Sequence, residues 1–218
     1  MPDDADESPG LEDAYALETP NDSRELYARW ADSYDESFVA ATGYEYHEHV
    51  ADLLVAGPRP DGPVADVGCG TGAVGEALRR RGVESIDGID ISAEMLERAA
   101  TKSLDGPVYR NLIEADLTQS LAIEDDTYAG MTSAGTFTHG HLLAAPLTEL
   151  VRVVKPGGRC AIGINAAHWV GHGFERWLDG AVVDGLIDPF EVHRKKVYGR
   201  SDPTNPDDMT NIVVFVVR

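Results

Sequence analysis

The stretch Val64-Ala65-Asp66-Val67-Gly68-Cys69-Gly70-Thr71-Gly72, followed along the chain by Ile89-Asp90-Ile91-Ser92, decides the fold. It predicts a buried strand, a turn with three alternating glycines that leads into a helix, and a second strand that ends in an acid. Glycines in such a turn can take positive φ and let a ligand lie against bare peptide. Asp90, at the end of the second strand, is placed to accept both hydrogen bonds of a ribose diol. The stretch therefore predicts a cradle for a nucleoside.

The glycine turn also fits the pattern of a second ligand class. Gly70-Thr71-Gly72-Ala73-Val74-Gly75 satisfies the dinucleotide pattern G-x-G-x-x-G, with an acid further on, so an NAD-dependent oxidoreductase is one alternative. Asp66 argues against it, because a strand that leads to a pyrophosphate does not need a carboxylate near the anion. A ligand with a sulfonium and an ammonium group is attracted to a carboxylate by simple Coulomb interaction. Asp66 therefore favours a cationic ligand.

The motifs around this turn resemble those of the class I methyltransferases that use S-adenosylmethionine. Asp66-x-Gly68-x-Gly70-x-Gly72 looks like motif I of that family. Three further segments are similar to family motifs, in the family's order, over about residues 60 to 165: Ile89-Asp90-Ile91-Ser92-x-x-Met95-Leu96, Glu114-Ala115-Asp116-Leu117 and Leu150-x-Arg152-Val153-Val154-Lys155-Pro156-Gly157-Gly158. The chain is therefore identified as a member of this family.

The resemblance implies a set of contacts to S-adenosylmethionine and to its product, S-adenosylhomocysteine. The glycine loop would hold the methionine part of the cofactor, Asp90 the ribose, and Asp116 the adenine amino group. The predicted cofactor-binding residues are Tyr27, Trp30, Asp66, Gly68, Cys69, Gly70, Gly72, Asp90, Ile91, Met95, Asp116, Leu117 and Ser133.

Three aromatic residues near the N-terminus, Tyr27, Trp30 and Tyr34, follow one another at three- and four-residue steps. Aromatics at helical spacing more often belong to a core than to a ligand site. The segment Tyr27-Ala-Arg-Trp30-Ala-Asp-Ser-Tyr34-Asp35 nevertheless resembles the N-terminal lid of many small-molecule methyltransferases, which closes over the cofactor and excludes water. It also resembles a mammalian methyltransferase-like protein from the Williams–Beuren region, which indicates a subgroup but no substrate.

Strands and helices alternate from residue 64 onward, which predicts a parallel sheet covered by helices on both faces. We expect a strand over 107–113 and a short helix near 118–122 within this repeat. The resemblance adds an antiparallel closing strand over 210–217. The predicted fold class is thus α/β, a three-layer, doubly wound Rossmann-like methyltransferase fold with a mostly parallel seven-stranded sheet and an antiparallel last strand.

Composition divides the chain at its N-terminal end. Residues 1–21 are acidic and lack apolar periodicity, so we expect a disordered acidic tail there. Residues 22–218 are expected to form a single methyltransferase domain, of which residues 22–56 are the helical lid.

The charge balance limits the partners of the chain. Eighteen basic and 38 acidic residues give a formal charge of −20, which argues against nucleic acid and against an anionic membrane. We expect a small-molecule substrate instead. The absence of a long apolar run, the acidic first thirty residues and the presence of only Cys69 and Cys160 predict a cytoplasmic protein. No pattern in the sequence predicts an oligomeric state.

The catalytic residues are the least defined part of the sequence. Histidine titrates near neutral pH, and His139 and His141 follow the fourth strand while His168 and His172 follow the fifth, so His139 and His168 are candidate bases. No acidic cluster suited to magnesium is evident, and no metal is predicted. The predicted function is methyl transfer to an unidentified small-molecule acceptor by direct displacement. Because no definite base is evident, a non-catalytic cofactor-binding or partner-binding module of the same fold is the alternative.

Overall fold

The helices and strands of the protein alternate along most of the chain. A computed structural model describes residues 9–10, 13–14, 16–17, 19–35, 42–138, 142–201 and 203–218. The helices are α1 (Pro20–Trp30), α2 (Tyr46–Val55), α3 (Ala73–Arg80), α4 (Ala93–Ala100), α5 (Leu147–Arg152), α6 (Ala166–Trp169) and α7 (Phe174–Val183). The strands are β1 (Val64–Val67), β2 (Ile86–Asp90), β3 (Asn111–Glu114), β4 (Tyr128–Phe137), β5 (Val154–Asn165), β6 (Glu191–Lys196) and β7 (Met209–Val216).

The strands form one seven-stranded sheet in the order β3-β2-β1-β4-β5-β7-β6. The pairs among β3, β2, β1, β4 and β5 are parallel, whereas β7 runs antiparallel to both β5 and β6. The predicted fold class is therefore confirmed. The strand order reverses at β1, which lies between β2 and β4, so a ligand site is expected beyond the carboxyl ends of these strands.

The sheet is buried on both faces because its central strands are apolar on both sides. One face packs into a core cluster with Met131, Phe137 and Phe174, and the other into a cluster with Leu54 and Leu78. This gives the three-layer arrangement that parallel strands require. No helix within the described ranges has the length and apolar character needed to cross a membrane.

Two local predictions differ from the structure. The short helix expected near 118–122 is wrong: the chain turns there, because an Asp116 carboxylate oxygen accepts hydrogen bonds from the Thr118 backbone N–H and hydroxyl (2.9 and 2.7 Å). An aspartate that bonds to the backbone two residues ahead stabilises a turn in place of a helix. The strand expected over 107–113 begins only at Asn111.

The first described helix has a complete N-terminal cap. The Thr19 hydroxyl accepts from the Asp22 backbone N–H, the Asp22 carboxylate accepts from the Thr19 N–H, and Pro20 occupies the first helical position. Upstream of this cap, Ala14 and Leu17 are buried in a cluster with Trp30. The tail over 1–21 and the lid over 22–56 stay predictions, and residues 1–8, 11, 12, 15, 18 and 36–41 lie outside the described residues.

Helix α2 is placed by a close approach to β5. A Cβ added at Gly163 would overlap the Tyr46 ring, whose hydroxyl also accepts a hydrogen bond from the Thr210 hydroxyl at 2.6 Å. We predict that Gly163→Ala lowers the free energy of unfolding by about 1–3 kcal/mol, since the aromatic ring must be displaced. The measurement is urea unfolding followed by circular dichroism.

Gly180→Ala is the matched control for this prediction. Gly180 lies within α7, and an added Cβ there would meet no atom within 4 Å. The control should be stabilised by about 0.5–1 kcal/mol, because alanine favours helix more than glycine does. Equal effects of the two variants would contradict the packing assignment.

Candidate functional site

A cavity of about 720 Å³ lies beyond the carboxyl ends of the strands around β1. The register of the sheet brings the carboxyl ends of these strands together. Val67 of β1 pairs with Ile89 of β2 on one side and with Ser133 of β4 on the other. The lining residues come from the N-terminal part of α1, the glycine loop, the ends of β2 and β4, and the segments after β3 and before α5. The volume lies within the usual range of small-molecule sites.

The glycine loop forms the floor of the cavity. Gly68, Gly70 and Gly72 all have positive φ (65°, 52° and 100°), as the sequence predicted for a sharp turn into a helix. A Cβ at Gly70 would point into open space, whereas one at Gly68 would collide with the Thr136 hydroxyl. Gly70 therefore exposes its backbone to the cavity, and Gly68 permits close approach of β4.

Asp90 fixes the shape of this loop. One carboxylate oxygen accepts the Gly70 backbone N–H (2.8 Å), and the other accepts the Ser92 backbone N–H (3.0 Å). Asp90 also lines the cavity. Burial raises its pKa above the ordinary value, although the hydrogen bonds from Ser92, Gly70 and Ile91 act in the opposite direction. Asp90 thus links the end of β2 to the loop that follows β1 and presents a carboxylate to the ligand space.

Asp66 lies behind the loop and does not line the described cavity wall. It is fully buried, and one of its oxygens accepts the Tyr109 hydroxyl at 2.7 Å. Burial raises the pKa of Asp66 to about 7, against the opposing effect of the Tyr109 hydrogen bond. The sequence predicted that the Asp66 carboxylate attracts a cationic ligand. In the structure this carboxylate accepts a hydrogen bond from the Tyr109 phenol, and its contact with the cofactor stays a prediction.

The predicted adenine and ribose contacts come together on one wall. Ile91, Met95, Asp116 and Leu117 all line the cavity beside Asp90. The Ser92 hydroxyl caps α4 by accepting the Met95 backbone N–H at 3.2 Å, which places Met95 in the first turn of that helix. This wall combines a thioether and aliphatic side chains with two carboxylates, a suitable set for a flat heterocycle joined to a diol.

The aromatic residues of the first segment form a second wall. Tyr27 and Tyr34 line the cavity with their rings 6.3 Å apart and nearly perpendicular, and Trp30 packs behind them at 6.2 and 4.9 Å. Trp30 is buried in the core cluster of this segment and does not line the cavity. Burial raises the pKa of the Tyr34 phenol well above its ordinary value, so the hydroxyl stays protonated near neutral pH.

Several other predicted residues support the site from outside the cavity. Ser133 is buried and donates its hydroxyl to the Val67 carbonyl (2.9 Å), and Thr136, which lines the cavity, donates to the same carbonyl (3.1 Å). Cys69 and Gly72 belong to the loop but do not line the cavity, and burial raises the pKa of the Cys69 thiol.

Of the two candidate bases, the structure describes only His168, which does not line the cavity. His139 and His141 lie outside the described residues. His168 is buried at the start of α6, where its Nε2 lies 2.9 Å from the Leu142 carbonyl oxygen. It therefore contacts the backbone of a residue that lines the cavity. Within the described ranges, no group of three or more His, Cys, Asp or Glu side chains is arranged to hold a metal ion.

One part of the cavity lining contains no residue that the sequence predicted for the site. It carries Leu142, Leu143, Ala145 and Pro146, together with Thr148, whose hydroxyl accepts the Trp177 indole N–H at 2.9 Å. No short sequence motif identifies these residues. They lie before or at the start of a short helix, and their backbone adopts no special conformation that would require a particular residue type. The bond from Trp177 to Thr148 connects α7 to α5.

Glu149, also on this side, is held by neighbours. Its carboxylate pairs with Arg152 (2.6 Å) and accepts the Leu121 backbone N–H (2.7 Å). The Arg152 guanidinium and the Leu121 bond lower the pKa of Glu149 to about 2. Arg152 therefore neutralises the charge of Glu149. The hydrogen bond from the Leu121 N–H joins Glu149 to the segment that follows Asp116.

We predict that Asp66 contributes a pH dependence to stability. Its pKa rises from 3.8 in the unfolded chain to about 7 in the folded protein. The folded state then binds more protons than the unfolded state between these values, so the free energy of unfolding falls as the pH rises from about 4 to 7. Urea unfolding at several pH values should show that Asp66→Asn lacks this part of the decline.

Tyr109→Phe provides the comparison variant. It keeps the Asp66 carboxyl but removes the donor that favours its ionised form, so the decline should extend to higher pH. Parallel profiles for the wild type, Asp66→Asn and Tyr109→Phe would contradict the assignment.

Comparison with known proteins agrees with this geometry. Residues 64–158 match the family described as a methyltransferase domain. The chain is 34% identical over 137 residues to human methyltransferase-like protein 27, covering 61% of the chain and 54% of that relative. It is 31% identical over 160 residues to a demethylmenaquinone methyltransferase of Symbiobacterium thermophilum, covering 70% of the chain and 62% of the relative.

The chain thus spans little more than half the length of these curated relatives. Among solved structures, the magnesium protoporphyrin IX methyltransferase of Synechocystis with bound S-adenosylmethionine superimposes with a TM-score of 0.64 at 20% identity. That match covers 93% of this chain and 99% of the other, and it shows a shared fold. The motifs, the sheet order and the matched family together show that the chain belongs to the class I S-adenosylmethionine-dependent methyltransferases.

Proposed function

We propose that this chain transfers a methyl group from S-adenosylmethionine to a small, largely apolar molecule by direct displacement. The observation that carries the proposal is the division of one cavity into two sides. One side holds the loop and carboxylates that suit a nucleoside, and the other is lined by Leu142, Leu143, Ala145 and Pro146. A cavity of about 720 Å³ has room for a cofactor and a second small ligand.

The residues present fit the cofactor of the family. Gly70 leaves open space where a side chain would otherwise lie, which allows the methionine part to approach the backbone. Asp90 and Asp116 line the cavity as hydrogen-bond acceptors for the ribose diol and the adenine amino group, and Met95 and Leu117 flank the ring position. When bound, S-adenosylmethionine supplies an electrophilic methyl group on a sulfonium sulfur.

The chain itself contributes position and exclusion of water. Tyr27 and Tyr34 line the same cavity and would shield the reacting centre from solvent. The apolar side then holds the acceptor in line with the methyl group, where near-attack alignment supplies much of the rate enhancement. This division of labour requires no charged residue at the acceptor side beyond Glu149, which Arg152 already neutralises.

The apolar wall indicates the kind of acceptor. An anionic acceptor would meet no Lys or Arg side chain among the described residues that line the cavity. The name of the demethylmenaquinone methyltransferase relative supports a ring-bearing, largely apolar acceptor. His139 remains the candidate for removal of a proton, and His168 would act only through the Leu142 backbone.

The first prediction from this proposal concerns the cofactor. Calorimetric titration should give micromolar binding of S-adenosylmethionine and S-adenosylhomocysteine, about −8 kcal/mol, and no binding of NAD. Asp90→Ala should weaken adenosyl binding by about 1–3 kcal/mol, because a buried acceptor of the loop and of the ribose is lost. Asp179→Ala, on the exposed face of α7, is the control and should leave the affinity unchanged. Binding of NAD alone would contradict the proposal.

The second prediction concerns turnover. Incubation with S-adenosylmethionine carrying a labelled methyl group and a panel of phenols, hydroquinones, amines and carboxylates should give labelled product from an apolar ring compound, detected by mass spectrometry. Gly70→Leu should abolish labelling, since its side chain would occupy the ligand space. Tight cofactor binding without methylation of any compound or cell extract would favour a non-catalytic module of the same fold.

A further inference from the structure

Asp35 joins the aromatic wall to three parts of the cofactor side. It directly follows Tyr34, and one of its oxygens accepts the Thr71 hydroxyl at 2.5 Å. The other oxygen lies 2.7 Å from the Lys102 ammonium, just beyond α4, and that ammonium also lies 3.3 Å from Glu76 in the first turn of α3. A single carboxylate thus connects the wall, the glycine loop and both flanking helices.

The bond to Thr71 stands out because of where Thr71 lies. It is the residue between Gly70 and Gly72, it is only 3% exposed, and it does not line the cavity. Its hydroxyl faces the wall, while the N–H of the preceding Gly70 is held by Asp90. Two aspartates, one at the end of β2 and one directly after Tyr34, therefore hold adjacent residues of one loop.

A second ion pair in the same segment provides a contrast. Asp32 pairs with Arg98 of α4, a helix outside the glycine loop, and its side chain is 81% exposed. Exposed pairs contribute little, since solvent screens them. The Asp35 side chain is about half as exposed, and it accepts from a buried hydroxyl, which is the stronger, charge-assisted kind of bond.

We propose that Asp35 is a positioning residue that couples closure of the Tyr27 and Tyr34 wall to the ligand-binding shape of the glycine loop. The inference rests on the proposed function, because it assumes that S-adenosyl ligands occupy the cavity. The loop holds the Thr71 hydroxyl in a fixed place, so the Asp35 bond forms when the wall lies against the loop. By linkage, a ligand that requires the closed wall strengthens this bond to the same extent that the bond strengthens ligand binding.

This coupling should slow the dissociation of a bound ligand. The wall must open before a bound ligand leaves, and opening breaks the Asp35–Thr71 bond. Loss of the bond should therefore accelerate dissociation more than it slows association, as is usual when contacts are removed from a formed complex. A role in stability alone would lower the melting temperature of the ligand-free protein without a selective change in the dissociation rate.

The test is the dissociation rate of S-adenosylhomocysteine, measured by rapid mixing with excess competing ligand and tryptophan fluorescence. Trp30 stacks on Tyr27 and reports on the wall. Asp35→Asn and Thr71→Val, which keeps the shape of the side chain and removes the hydroxyl, should each raise the rate about tenfold. Thr71→Val should raise the rate by clearly less in the Asp35→Asn background than in the wild type, because Asp35→Asn already removes the charge from the shared bond; Asp35→Asn also loses the Lys102 ion pair. Asp32→Asn is the matched control and should stay within about twofold of the wild type.

Several outcomes would overturn the inference. These are an unchanged dissociation rate in Asp35→Asn, an equal rise in Asp32→Asn, or fully multiplicative effects in the double variant. Melting of the ligand-free variants identifies any that do not fold. If Asp35→Asn fails to fold, Thr71→Ser, which keeps the hydroxyl, should dissociate like the wild type and Thr71→Val faster. A wild type that binds no S-adenosyl ligand contradicts the proposed function itself, whereas binding with unchanged variants contradicts this inference alone.

Discussion

The pairing of the Asp90 carboxylate with the Gly70 and Ser92 backbone N–H groups is the interaction on which the site depends. It joins the end of β2 to the loop after β1 and to the start of α4. The Gly68 and Cys69 N–H groups complete the junction by donating to the Ile89 carbonyl (2.7 and 3.1 Å). Because the loop is tied to two strands and a helix at once, its backbone can face the cavity without collapsing into it.

Burial of acids is the electrostatic consequence of this arrangement. Asp66 and Asp90 lie in the interior of a chain with a formal charge of −20, and burial raises the pKa of each. Asp87, at the opposite end of β2, is instead compensated by Arg110 (2.9 and 2.6 Å). The ion pair of Asp87 with Arg110 suits that end of the sheet to stability. The other end holds Asp66 and Asp90, whose charges are poorly compensated, and it suits a ligand that brings donors and positive charge.

The two walls of the cavity differ in how they are held. The nucleoside wall is built from strand ends and backbone, which the sheet holds rigidly. The aromatic wall is carried by one helix and the segment after it, and the ion pairs of Asp35 with Lys102 and of Asp32 with Arg98 join that segment to the rest of the fold. A nucleoside wall built from strand ends beside a wall carried by one helix suits a site that must admit and then enclose its ligands.

The sequence by itself determined the sheet class, the glycine loop and the acid after each of the first strands. These features are local: positive φ requires glycine, apolar runs define strands, and the carboxyl ends of parallel strands meet at one edge. Only the tertiary structure decided that Asp66 meets Tyr109, that Thr71 meets Asp35, and that Trp30 lies behind Tyr27 and Tyr34. The acceptor side, from Leu142 to Thr148, was likewise decided by tertiary structure. Partners 43 and 36 residues apart are chosen by how distant segments pack, and no spacing along the chain encodes that choice.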